Sequence, residues 1–145
     1  MNVKTLAAVA ATGALLLVCS ASSTFAHHSF ASEFDANRPI ELTGVVKEMR
    51  FSNPHSWIYL TVKTTSGEVQ DWAIEGAAPN ALLRRGFSRT LLPAGTEVYV
   101  RGFQARDRTF RAAGRDITLK DGSKLFVGST GVGAPFEGEE GASEE

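Results

Sequence analysis

The sequence predicts a mainly β fold: a small five- to six-stranded, OB-like barrel with one short helix between strands three and four. Three observations predict it. In His55 to Lys63, Trp57, Tyr59, Thr61 and Lys63 alternate with Ile58, Leu60 and Val62, and in Val69 to Glu75, Val69, Asp71, Ala73 and Glu75 alternate with Gln70, Trp72 and Ile74, the two-residue period of a strand. The period changes once, over Pro79 to Arg85, where Ala81, Leu82 and Leu83 fit about two helical turns. The order of three strands, a helix, then two or three strands is that of a five-stranded Greek-key barrel of the OB type. A small sandwich or an open meander is the alternative with the same strand count.

The elements follow in order. Ala31 to Pro39 reads as an irregular lead-in. Ile40 to Phe51 is β-rich, and Gly44 predicts a bulge or bend near its start. Ser52-Asn53-Pro54 is a turn, since Pro54 biases Asn53 away from helix. On the next strand Trp57, Tyr59, Thr61 and Lys63 share one face, and Ile58, Leu60 and Val62 share the other. Thr65-Ser66-Gly67 closes a hairpin onto Val69 to Glu75. Pro79 suits the first helical position and Gly86 the position just past the helix end. Thr96 to Phe103 and Phe110 to Leu119 are strands joined by the polar tip Arg106-Asp107-Arg108. Asp121-Gly122 is a type I′ hairpin signal ahead of Lys124 to Val127. The predicted core is Trp57, Leu60, Val62, Trp72, Ile74, Val98, Val100 and Ile117.

The chain of 145 residues divides into a cleavable signal peptide (1–26), a single β domain (27–127) and a Gly/Glu-rich tail (128–145) expected to be disordered. The signal reading rests on Lys4, the apolar run Leu6 to Val18, and the small residues at Thr24 and Ala26. That run is shorter than the roughly 20 residues that span a bilayer. The expected location is therefore periplasmic or secreted, with no membrane span after processing. Cys19 raises a lipoprotein alternative, but Val18 before it lacks the small side chain such a site needs. Cleavage after Ala26 leaves 119 residues, no cysteine, and 14 basic against 16 acidic residues. That balance argues against nucleic acid as a partner.

Cleavage would also make His27 the N-terminus, followed by His28. An N-terminal histidine offers an α-amine and an imidazole on one residue, a natural chelate for one metal ion. The chain has three histidines, and His55 is the third. His27, His28 and His55 are the candidate metal ligands, and copper is the candidate metal, because copper(II) favours nitrogen donors and tops the divalent affinity order. The bland reading is a frayed terminus and a His55 that packs or caps a turn. Met49, His55 and Trp57 form an overlapping set suited to copper(I), although Met49 as core filling is the stronger reading. Trp57, Tyr59 and Trp72, with Arg101, Arg106, Arg108, Arg111 and Arg115, form a candidate face for an envelope protein or a glycan; here too a core of aromatics and a solvated arginine surface is the plainer account. Glu33, Asp35, Asp71 and Glu75 are scattered. No acid–base pair, nucleophile elbow or phosphate loop is visible, so no reaction is assigned.

His27-His28-Ser29-Phe30, Phe51-Ser52-Asn53-Pro54-His55 with Trp57, and Pro79-Asn80 before the helix together resemble a family of small exported bacterial proteins, domain of unknown function 6152. The resemblance runs from His27 to about Phe126 and excludes the acidic tail. It implies export and a compact β domain, and it implies no activity.

Overall fold

Alternating apolar positions place six strands in one sheet that closes on itself. The computed structural model describes residues 30–129; the predicted signal segment, His27, His28 and the tail from residue 130 lie outside the described residues. The elements are α1 (Phe30–Glu33), β1 (Phe34–Arg50), β2 (Trp57–Lys63), β3 (Val69–Glu75), α2 (Pro79–Arg84), β4 (Glu97–Ala105), β5 (Arg111–Leu119) and β6 (Lys124–Phe126). The strand order is β3-β2-β1-β4-β5-β6, and a further β3–β5 pairing closes the ring. That pairing is parallel, with Ala73 opposite Arg111, Ile74 opposite Ala112 and Glu75 opposite Ala113; the other ladders are antiparallel. This is the OB-like connectivity, with its helix between strands three and four. No described helix is long and apolar enough to cross a membrane.

Inside the ring, Val46, Ile58, Leu60, Ile74, Val100, Ile117 and Val127 are fully buried. Seven of the eight predicted core residues are buried. Trp57 is not: it shares the outer face of β2 with Tyr59, and Ile58 takes the inward position. The alternation in β2 already carried this answer, since Trp57 is out of phase with Leu60.

Four local readings change. First, β1 begins at Phe34, six residues before the expected start, because Phe34 pairs with Ala105 and is buried beneath α1. Its polar Asp35–Arg38 stretch, bulged against β4, hides the strand from a periodicity test. Second, the β1 bulge lies at Lys47, between Val46 and Glu48, not at Gly44. The extra residue explains how Val46 and Met49, three apart, both face inward. Third, the Asp121-Gly122 turn is not type I′. Only Gly122 has positive φ (88°), Gly122 N donates to Leu119 O at 2.9 Å and Leu119 N donates to Ser123 O at 2.8 Å. That is a type I turn with a glycine bulge, and it recurs at Thr64–Glu68. Fourth, Gly128 belongs to the domain: it is buried, its N–H donates to Arg115 O at 3.1 Å, and its carbonyl accepts from Arg85 at 2.7 Å.

Helix α2 behaves as its sequence predicts. Pro79 occupies the first turn, and the helix ends with Gly86 at φ 87°. Gly86 N donates to Leu83 O and Phe87 N donates to Leu82 O, while Phe87 and Leu82 are both buried. This is a Schellman arrangement, with the hydrophobic contact that accompanies it.

Ile74→Ala should cost about 2–5 kcal/mol, because it empties a site at the centre of the ring. Trp57→Ala should cost clearly less. Equilibrium denaturation of both variants checks the assignment of faces, and a larger loss at Trp57 contradicts it.

Candidate metal centre around His55

The loop that carries His55 is tied to the end of β3. Ser56 N donates to Ala77 O (3.1 Å), Gly76 N donates to Ser56 O (2.8 Å), and the Ser52 hydroxyl donates to the His55 carbonyl (2.9 Å). Ser56 itself is buried. His55 is therefore held on a fixed backbone, as a site residue needs to be.

Glu75, the last residue of β3, faces His55. His55 Nδ1 lies 3.1 Å from Glu75 Oε1, with side-chain exposures of 31% and 14%. Nδ1 is buried against the carboxylate, although the contact is too bent to count as a well-formed hydrogen bond. A carboxylate at one ring nitrogen sets the tautomer of an imidazole and leaves the other nitrogen as the electron-pair donor. The sequence placed Glu75 among scattered carboxylates. Its pairing with His55 needs the β2–β3 ladder and the loop closure, so no spacing rule could have found it. Among the described residues no three histidine, cysteine, aspartate or glutamate side chains converge. His55 and Glu75 thus form half of a metal site at most, and His27 and His28 lie outside the described residues.

A row of residues on the outer surface connects this dyad to the start of the domain. Trp57 pairs with Glu75, Glu75 with Ala113, and Ala113 with Phe103. Phe30 packs on the cluster of Phe34, Ala105 and Ala113, and its ring meets Phe103 edge-on at 5.7 Å. Arg106 fastens the same segment: its Nε donates to Ala31 O (2.6 Å) and its N–H to Glu33 O (2.9 Å). Arg111 pairs with Glu33 at 3.2 Å and lies over the Phe34 ring. Phe30 thus packs on the cluster that includes Ala113, the residue opposite Glu75 in the β3–β5 ladder, while the strand that follows it, β1, pairs with β4.

The other two constellations come apart. Met49 packs against the core on the inner face, so its thioether is turned away from the side of the sheet that carries Glu75. Trp72 is 6% exposed on the inner face, where its indole N–H donates to Gln70 Oε1 at 3.1 Å, and it leaves Trp57 and Tyr59 as the only outer members of the aromatic set. Arg101 is committed to Asp116 through two hydrogen bonds of 2.8 and 2.9 Å, and Arg106 and Arg111 to the α1 segment. Arg50, which the sequence reading passed over, lies 5.2 Å above the Tyr59 ring.

Since His55 is partly exposed and fills no core position, His55→Ala should cost about 1 kcal/mol or less. Denaturation midpoints test this; a loss above about 2 kcal/mol would make the dyad a structural contact.

A family model described as "Family of unknown function (DUF6152)" matches residues 13–115, well over half of the chain. No curated protein and no solved structure matches it. The match covers the first four strands, the helix and the dyad, and stops within β5. The chain belongs to this family of unknown function.

Proposed function

We propose that the protein is an exported binding protein that takes copper(II) at its processed N-terminus, with His55 supplying a further nitrogen from the barrel. His27 would chelate through its amine and imidazole, and His28 is the neighbouring alternative donor. The observation that carries the reading is the position of Phe30. Its ring packs on the outer-face cluster that includes Ala113, and Ala113 lies opposite Glu75 in the β3–β5 ladder. The three residues from His27 to Phe30 can cover about 10 Å, and one strand spacing is about 5 Å. The reading requires that this reach bring His27 to His55. The Glu75 carboxylate behind His55 is the arrangement that orients a metal-binding imidazole. Copper chemistry here would be nitrogen-based, which suits the divalent ion.

A second reading, an interaction surface for an envelope protein or a glycan, has one observation in its favour. Trp57 and Tyr59 stand side by side on the outer face with Arg50 over Tyr59. It is narrower than the aromatic and arginine face expected from sequence, because Trp72 and three of the arginines are engaged elsewhere.

Titration calorimetry on the mature protein, with its first residue established by mass, tests the copper reading. One additional residue ahead of His27 keeps all three imidazoles and displaces the amine. It should weaken Cu(II) binding about tenfold or more, equivalent to about 1.4 kcal/mol. His55→Ala should weaken it further. Equal affinity for the native and extended N-termini rejects the chelate, and a mature terminus elsewhere than His27 removes its basis.

A further inference from the structure

We propose that the outer face of β1, β2 and β3 binds a neutral glycan, with Trp57 as the platform on which one sugar ring stacks. The inference rests on the second reading above, an interaction surface, and names its ligand class; it is independent of the copper reading.

Three features carry it. First, Trp57 is a half-buried indole that fills no core position, and it stands at the centre of a cross-strand row. Its register partners are Arg50 on β1 and Glu75 on β3. Directly paired residues share a face, with Cβ atoms about 5 Å apart. A guanidinium therefore borders the indole on one side and a carboxylate on the other. A pyranose ring has an apolar face of C–H groups and a rim of hydroxyls. Laid on the indole, it meets an apolar plane below, with donors of Arg50 at one edge and acceptors of Glu75 at the other. Second, these groups are already ordered. Arg50 pairs with Glu48 at 2.6 Å and lies 5.2 Å above the Tyr59 ring. Glu75 meets His55 at 3.1 Å and is only 14% exposed. Groups held in place before binding lose little freedom when a ligand arrives. Third, the charge pattern selects the ligand. Lys47 and Arg50 on this face are matched by Asp71 and Glu48 at 2.8 and 2.6 Å, and Glu75 adds a further carboxylate. That leaves no surplus of positive charge for a polyanion such as nucleic acid. The core of a protein interface is depleted of charge, whereas here charged groups surround the aromatics. The exposed large aliphatics of these strands, Val45 and Val69, stand at the far end of the face, opposite Thr61 and Lys63. Aromatic planes bordered by balanced charge suit a ligand that is apolar on one face, hydroxylated at its rim and uncharged.

The test uses the mature protein on an array of neutral and acidic oligosaccharides, with single-stranded DNA alongside. At least one neutral glycan should bind. Its affinity, by titration calorimetry, should change less than about twofold between about 50 and 200 mM salt, where a ligand held through several phosphates loses far more. Trp57→Ala should weaken binding about tenfold or more, as for loss of an aromatic anchor. Trp57→Phe keeps an aromatic plane and should retain most of the affinity, and Leu83→Ala, at an exposed position on α2, should match the native protein. Native protein with nitrogen-labelled tryptophan gives a readout that needs no variant. The chain has two tryptophans; the indole N–H signal of Trp57 should shift when the glycan is added, and that of Trp72, donated to Gln70, should not. An array without a neutral ligand overturns the proposal, as does binding confined to acidic glycans or DNA, or equal affinity of Trp57→Ala and native protein. If no glycan binds, yet Trp57→Ala abolishes a cross-link to an envelope protein, the ligand class is wrong and the interaction surface stands. If no glycan binds and no such cross-link depends on Trp57, both fall.

Discussion

The parallel pairing of β3 with β5 is the constraint on which the rest of this molecule depends. It consists of three residue pairs, and without it the sheet would be an open meander. Two features of β5 make room for it. Gly114 lies where a Cβ would come within 2.8 Å of both Ile74 and Val127, so a side chain there would push the two edges apart. Arg115 is the extra residue of a bulge, which lets Gly114 and Ile117 both face the interior. The carbonyl of Arg115, freed from the β4 ladder, accepts the N–H groups of Val127 and Gly128. That contact pulls the segment after β6 under the barrel and places Val127 in the core.

The same closure organises the outer surface. Because Ala113 lies between Glu75 and Phe103, the strand end that bears the His55 partner and the patch that receives Phe30 become neighbours. The geometry on which the metal reading relies is thus a by-product of closing the ring. Ala113 shares a cluster with Phe34 and Ala105, against which Phe30 packs.

The arginine-rich stretch has a structural explanation. Arg106 and Arg111 hold the α1 segment against the β4–β5 hairpin, and Arg85 clasps Gly128 and the Phe126 ring. Arg101 forks onto Asp116, which is 3% exposed, and Arg115 and Lys124 lie within 3.8 Å of the same carboxylate. A buried ion pair contributes little net stability, because desolvation offsets most of the attraction, but removing one partner is costly. These pairs tie neighbouring segments together. They also engage Arg101, Arg106, Arg111 and Arg115, four of the five arginines of the expected anion-binding face.

Local chemistry was enough for the sequence by itself to determine the elements. The two-residue alternation of β2 and β3, the Pro79 start and Gly86 stop of α2, and the inward set Leu60, Val62, Ile74, Val98, Val100 and Ile117 depend on neighbours along the chain, and they stand as read. His55 was legible as a candidate because histidine is scarce here. The tertiary structure alone decided the remainder. The start of β1 rests on Phe34 meeting Ala105, seventy-one positions away, and no local pattern among Asp35–Arg38 announces it. The bulges at Lys47 and Arg115 reset which side chains face inward, and they exist only relative to a partner strand. Trp72 and Trp57 look alike in composition and lie on opposite faces of the sheet. Glu75 became a partner of His55 only when a strand end and a loop twenty residues apart were brought within hydrogen-bonding distance, because charge and tautomer act through space rather than along the chain.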